Sequence, residues 1–161
     1  MQLQSYKSLK EGYTLIELLV GITIISIVFT IGFAGFREFS RRQALSGVTK
    51  SIKADLRLAQ QLSLTGQKPN SDQGTCTQLN GYTFKIESIT EYTISANCTN
   101  ANRVVKTVDL DTNVSISPNL SSVQFKVLGQ GTNLVTDYVI SLSHSSGAAA
   151  TITVGTGGEV N

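Results

Sequence analysis

The chain has 161 residues, of which 40% are apolar and 15% charged, with a formal net charge of +2. That apolar share excludes a disordered chain, and the near-neutral total excludes a nucleic-acid binder driven by overall charge. A single His and two Cys leave no ligand set for a zinc site.

The charge is unevenly placed. Residues 1–12 carry +1, residues 13–36 carry −1, residues 37–65 carry +4 and residues 66–161 carry −2. Leu18 to Phe36 reads LLVGITIISIVFTIGFAGF, 19 residues without a charge. That is about the length that crosses a bilayer core as a helix. A secretory signal peptide has a shorter apolar region and ends in small residues. Phe33-Ala34-Gly35 is a poor site of that kind. The length favours a retained membrane helix.

Glu17 is the only charge between residues 13 and 36. Near the start of a membrane helix, a carboxylate either sits wet at the headgroup level or meets a cation inside the membrane or an assembly. Position alone leaves both readings open.

Before Glu17 stand Lys7, Lys10 and Glu11, then Gly12, then Tyr13-Thr14-Leu15-Ile16-Glu17-Leu18-Leu19-Val20. This stretch resembles the type IV prepilin and pseudopilin family: a Gly, an aromatic residue, then T-L-I-E-L-L-V opening an apolar helix. Tyr13 stands where Phe is commoner. The resemblance implies a polar leader, residues 1–12, cut after Gly12 by a membrane aspartyl prepilin peptidase. It implies N-methylation of Tyr13, and contact between the new amine of one subunit and Glu17 of a neighbour. A cation and a carboxylate, each costly alone in a low-dielectric setting, cost much less together.

Two features depart from the family. It often has a Pro late in the apolar part, whereas here none precedes Pro69. Gly32 and Gly35 lie in that region and either loosen the helix or let helices pack closely. Arg37, Arg41 and Arg42 follow the apolar block, so the positive-inside rule places the C-terminal side in the cytoplasm. The resemblance places it outside, and we follow the resemblance.

From Arg37 to Thr65 there is no Pro. Leu45, Val48, Ile52, Leu56, Ala59 and Leu62 recur at spacings of three and four, one helical stripe. The spacing predicts a helix from about Thr14 to Thr65, ended by Gly66 and Pro69. Its first part, residues 13–36, is the transmembrane half. Residues 37–65 form an amphipathic half whose stripe packs on a downstream domain. Lys50, Lys53 and Arg57 fall off the stripe and present a solvated face, or one for anionic lipid or DNA. No aromatic residues interleave with them, against single-strand binding.

Residues 66–161 turn to Ser, Thr, Asn and Gly with short alternating runs. Tyr82–Glu87, Glu91–Ala96, Arg103–Leu110, Val114–Ser117, Val123–Leu128, Tyr138–Ser143 and Ala150–Val154 read as strands. The expected fold is α+β: a long N-terminal helix packed on a C-terminal antiparallel sheet with one wet face.

The tail also resembles the H-type minor pseudopilins, the GspH/FimT group. The matching stretches are Val123–Gly129, Val139–Leu142, Ala150–Val154 and Gly157–Val160, with Leu56–Ser63 at the helix end. The implied function is that of a structural subunit, a minor pilin or pseudopilin of a type IV pilus or a type II secretion pseudopilus. Its partners are prepilin peptidase, other pilin or pseudopilin subunits, an inner-membrane assembly platform and membrane lipid, with no cofactor. The precursor is expected in the inner membrane with its C-terminal domain outside the cytoplasm. The alternative is a DNA- or surface-binding minor pilin of a competence or uptake pilus, with nucleic acid as the added partner. With the domain outside, an oxidising compartment permits a Cys76–Cys98 disulfide; two free thiols are the other reading.

No catalytic constellation emerges, and the chain reads as a non-enzyme. His144 sits among small polar residues with Asp137 near in sequence, but no nucleophile elbow is present. Asp109 and Asp111 fall short of a calcium loop. Asn97, Asn113 and Asn119 open glycosylation triplets, a pattern that arises readily by chance in so Ser- and Thr-rich a chain.

Overall fold

The computed structural model describes residues 12–69 and 75–161. The leader expected over residues 1–12, with Lys7, Lys10 and Glu11, lies outside the described residues except for Gly12. The chain divides into two compact units, Met1–Phe39 and Ser40–Asn161.

One helix, α1, runs Leu15–Thr65. It ends as the sequence leads one to expect. Gly66 takes φ 63°, Gln67 N–H donates to the Leu62 carbonyl at 3.2 Å, and Gly66 N–H donates to that of Ser63 at 3.2 Å. This double closure satisfies carbonyls that would otherwise lack a donor.

In the first unit the helix is bare. Every large apolar side chain described from Leu15 to Phe39 is exposed. The polar side chains bond inward: Thr23 donates to the Val20 carbonyl, Ser26 to that of Ile22 and Thr30 to that of Ser26, each at 2.8 Å. Hydroxyls satisfied by their own helix present little unpaired polarity to an apolar solvent. Phe29 stacks on Phe33 with ring centres 6.3 Å apart, and the Arg37 guanidinium lies 6.0 Å from the Phe33 ring centre. The cation at the end of the apolar run thus sits on an aromatic face.

Among the described residues of the second unit, seven antiparallel strands follow the helix: β1 Leu79–Ser88, β2 Glu91–Cys98, β3 Asn102–Asp109, β4 Val114–Pro118, β5 Ser122–Lys126, β6 Tyr138–His144 and β7 Ala149–Val154. They form two sheets where the sequence suggested one. The first has the order β3-β2-β1-β5 and the second β4-β6-β7. Alternation along the strands puts Tyr82 and Phe84, Tyr92, Ile94 and Ala96, Val123 and Phe125, and Tyr138, Ile140 and Leu142 into one core. The helical stripe joins it: Leu45, Ile52, Leu56 and Ala59 are buried, with Val48 and Leu62 against the cluster.

Strand β5 stops short of expectation. Val127–Gly129 is a 3₁₀ turn in which Leu128 has φ 56° and Gly129 φ 74°. Left-handed backbone ends a strand. The chain then doubles back, with Lys126 N–H donating to the Gly131 carbonyl at 2.9 Å and Asn133 N–H to that of Gln124 at 3.1 Å. This return run lies along the outer edge of β5.

Two polar ties fix the helix to the first sheet. Ser63 Oγ donates to the Phe125 carbonyl at 2.9 Å and accepts the Tyr82 N–H at 3.0 Å, bridging β5 and β1. Asp55 accepts the Tyr92 hydroxyl at 2.8 Å and the Lys106 ammonium at 2.6 and 2.8 Å, reaching β2 and β3. Cys76 and Cys98 are bonded, with Cα atoms 5.5 Å apart, which fastens the chain ahead of β1 to the end of β2.

Candidate functional site

The candidate site is the start of α1. Gly12, Tyr13 and Thr14 lie before the helix and are exposed, Tyr13 by 85%. Thr14 Oγ1 accepts the Glu17 N–H at 3.2 Å, and the Thr14 carbonyl accepts the Leu18 N–H at 3.2 Å. Thr14 is therefore the N-cap, and Glu17 stands in the first turn, where a carboxylate is favoured by the helix dipole. A shallow apolar cavity of about 500 Å³ runs beside it, lined by Tyr13, Glu17, Leu18, Gly21, Ile22 and Ile25. Gly21, one turn beyond Glu17, has none of the described residues within 4 Å of where a Cβ would stand. The carboxylate thus borders an apolar groove.

Within α1, an 18-residue stretch of mean hydropathy 2.4 has none of its described residues buried. By length and composition, one helix among the described residues is able to cross a membrane. An apolar surface this continuous calls for lipid or other helices as its solvent.

Residues 7–33 match the prokaryotic N-terminal methylation motif. The chain carries a type IV prepilin motif. That motif supports a type IV pilin-like subunit, made as a membrane-anchored precursor, rather than an enzyme. It implies a substrate of prepilin peptidase that assembles with other pilins. The comparisons with curated proteins and with solved structures returned no match. The motif ends at Phe33, so the finer H-type resemblance of the tail rests on the sequence reading alone.

The remaining candidates are dispersed over the globular unit. His144 Nδ1 lies 2.9 Å from Ser146 Oγ and accepts the Ser146 N–H at 3.1 Å, a local turn contact. Asp111 accepts the backbone N–H of Asn113 at 3.0 Å and its side-chain amide at 2.9 Å. Those bonds, backbone first, hold its carboxyl below the usual range, with a smaller contribution from His144. No group of three or more His, Cys, Asp or Glu able to hold a metal is found among the described residues. The three triplet asparagines are engaged: Asn97 with Thr83, Asn113 with Asp111, and Asn119 with the Asp137 carbonyl.

Sequence reasoning missed two polar groups that organise the domain, Asp55 and Ser63, both buried on the helix face. It also passed over Thr14, although its signal is local. Thr14-Leu15-Ile16-Glu17 has the T-x-x-E form of a capping box.

Proposed function

We propose that this chain is a pilin-like structural subunit, a minor pilin or pseudopilin of a type IV pilus or a type II secretion pseudopilus. The observation that carries the reading is the prepilin motif at residues 7–33, in register with an exposed apolar stretch, residues 13–36, whose one charge is Glu17. Residues 1–12 are the leader, 13–36 the transmembrane half of the helix, 37–65 its soluble half and 66–161 the globular domain. Hydrolysis after Gly12 adds water across the Gly12–Tyr13 peptide bond, releasing a Gly12 carboxylate and a Tyr13 amine. Tyr13 is then N-methylated.

The Tyr13 amine of one subunit pairs with Glu17 of a neighbour, where each charge offsets the other's desolvation. The precursor sits in the inner membrane with its domain outside the cytoplasm, where an assembly platform takes it up. The tail stretches Val123–Gly129, Val139–Leu142 and Ala150–Val154 favour the H-type minor class, and the disulfide fits an oxidising compartment.

Mass spectrometry of the mature N-terminus tests this reading: methylated Tyr13 is expected, and an intact residue 1 would sink it. Glu17→Ala is expected to insert normally and to be lost from filaments. A DNA- or surface-binding role is the second reading, favoured by exposed Lys50 and Arg57 on the outer helix face. It requires salt-steep DNA binding by the segment after the apolar block.

A further inference from the structure

Thr14 and Glu17 make a contact that the family reading does not use. The side chain of Thr14 accepts the backbone N–H of Glu17, while the Thr14 carbonyl takes the first helical bond, from Leu18, each at 3.2 Å. Tyr13 precedes the cap and Leu18 follows in the first turn, the two positions of a hydrophobic staple, and both border the same apolar cavity. Together these devices start the helix at Leu15 and leave Gly12 and Tyr13 outside it. Among the described residues, nothing lies within 4 Å of the place a Cβ on Gly12 would occupy.

We propose that Thr14 is a positioning residue for leader cleavage: its cap ends the helix so that the Gly12–Tyr13 bond stays clear of it. This inference rests on the processing reading above. Without the hydroxyl, the Glu17 N–H is most simply satisfied by the Tyr13 carbonyl, and the Ile16 N–H by that of Gly12. The helix would then advance across the bond to be cut.

That advance would engage the Gly12 carbonyl in a helical hydrogen bond. Hydrolysis needs it open: the oxygen of water adds to the Gly12 carbonyl carbon, and the C–N bond breaks. Gly12 leaves as the carboxylate, and Tyr13 keeps the electron pair and takes the proton as its new amine. The amine then sits one residue ahead of the cap, outside the helix. The cap uses the backbone N–H of Glu17, so its carboxylate remains available for a neighbour.

The test is the single-turnover cleavage rate of the full-length chain in membranes, with a prepilin peptidase of the aspartyl class and mass spectrometry of the product. Thr14→Val, which keeps the shape and removes the hydroxyl, is expected to slow cleavage about five-fold, and Thr14→Ala similarly, the equivalent of a cap worth about 1 kcal/mol. Thr14→Ser and Thr14→Asn, both good caps, are expected to stay within about two-fold of the parent chain. Rescue by Asn separates capping from recognition of threonine by the peptidase, because the two share no shape. The proposal is overturned if Thr14→Val is cut at the parent rate, or if Thr14→Asn is as slow as Thr14→Val. A parent chain left uncut after Gly12 would instead overturn the processing reading, and this inference with it.

Discussion

Tyr92 donates its hydroxyl hydrogen to Oδ2 of Asp55 across 2.8 Å, tying β2 to the helix through an aspartate whose side chain is only 7% exposed. Lys106 on β3 closes on the same carboxylate at 2.6 Å from a side chain that is 42% exposed. A buried charge is tolerated only when paired and hydrogen-bonded, and Asp55 has both forms of support. Removing it takes the carboxylate acceptor from the Tyr92 hydroxyl and the counter-charge from Lys106. Asp55→Ala is therefore expected to destabilise the globular unit by about 2–3 kcal/mol. Tyr92→Phe, which leaves Lys106 on the carboxylate, is expected to cost about 1–2 kcal/mol. Urea unfolding of Ser40–Asn161 measures both; equal and negligible losses would show that the tie contributes nothing.

Alkaline pH should unfold the same unit through its buried tyrosines. Burial raises the Tyr138 and Tyr82 hydroxyls above the ordinary tyrosine value. Burial first, then the hydrogen bond to Asp55 and its charge, raises that of Tyr92. A group whose pKa is raised on folding holds more protons in the folded state, so stability falls as pH rises through that window. The contribution is complete below about pH 10 and declines above it. Urea midpoints followed upward from about pH 8 should be flat at first and fall beyond about pH 10; a flat profile throughout would contradict the assignment.

Tyr138 differs from Tyr92 in having no hydrogen-bond partner for its buried hydroxyl among the described residues. Desolvating such a group costs about 1–3 kcal/mol with nothing gained. Tyr138→Phe is therefore expected to be neutral or stabilising by up to about 1 kcal/mol, opposite in sign to Tyr92→Phe. The pair of variants, compared by thermal unfolding, tests whether partner or burial decides.

The Cys76–Cys98 bond closes a loop of sequence separation 22 that contains β1 and most of β2. The chain-entropy account assigns such a loop about 3 kcal/mol. Cys76→Ser combined with Cys98→Ser should lower the unfolding free energy by roughly that amount. Unfolding the parent under reducing conditions should show the same loss.

Gly81 sits in β1 at φ 147°, beside a register shift, and a Cβ there would collide with the carbonyl of Phe125 on β5. Gly81→Ala must push β5 away and is expected to cost about 2–3 kcal/mol. An unchanged midpoint would mean that β5 yields freely at this point.

Much of the fold can be read without coordinates because the signals are local. The stripe from Leu45 to Leu62 names the buried helix face, and Gly66 names the helix end. Alternation locates all seven strands, with ends shifted by a few residues. It fails at Val127 and Leu128, where an apolar run continues while the backbone turns left-handed. Alternation also leaves the number of sheets open, since it shows which side of a strand is apolar and not which strand lies beside it.

At the helix start, the sequence by itself determined the apolar block, its lone carboxylate, the prepilin motif and the T-x-x-E beginning, because each depends on residues within a turn or two of one another. Only the tertiary structure decided that Asp55, on an otherwise apolar face, is a buried tie. Its partners stand 37 and 51 residues away, beyond the reach of any local pattern. The division into two sheets and the doubling back along β5 belong with it. They follow from which strands meet, and strand pairing is settled when the core closes rather than by the residues of any one segment.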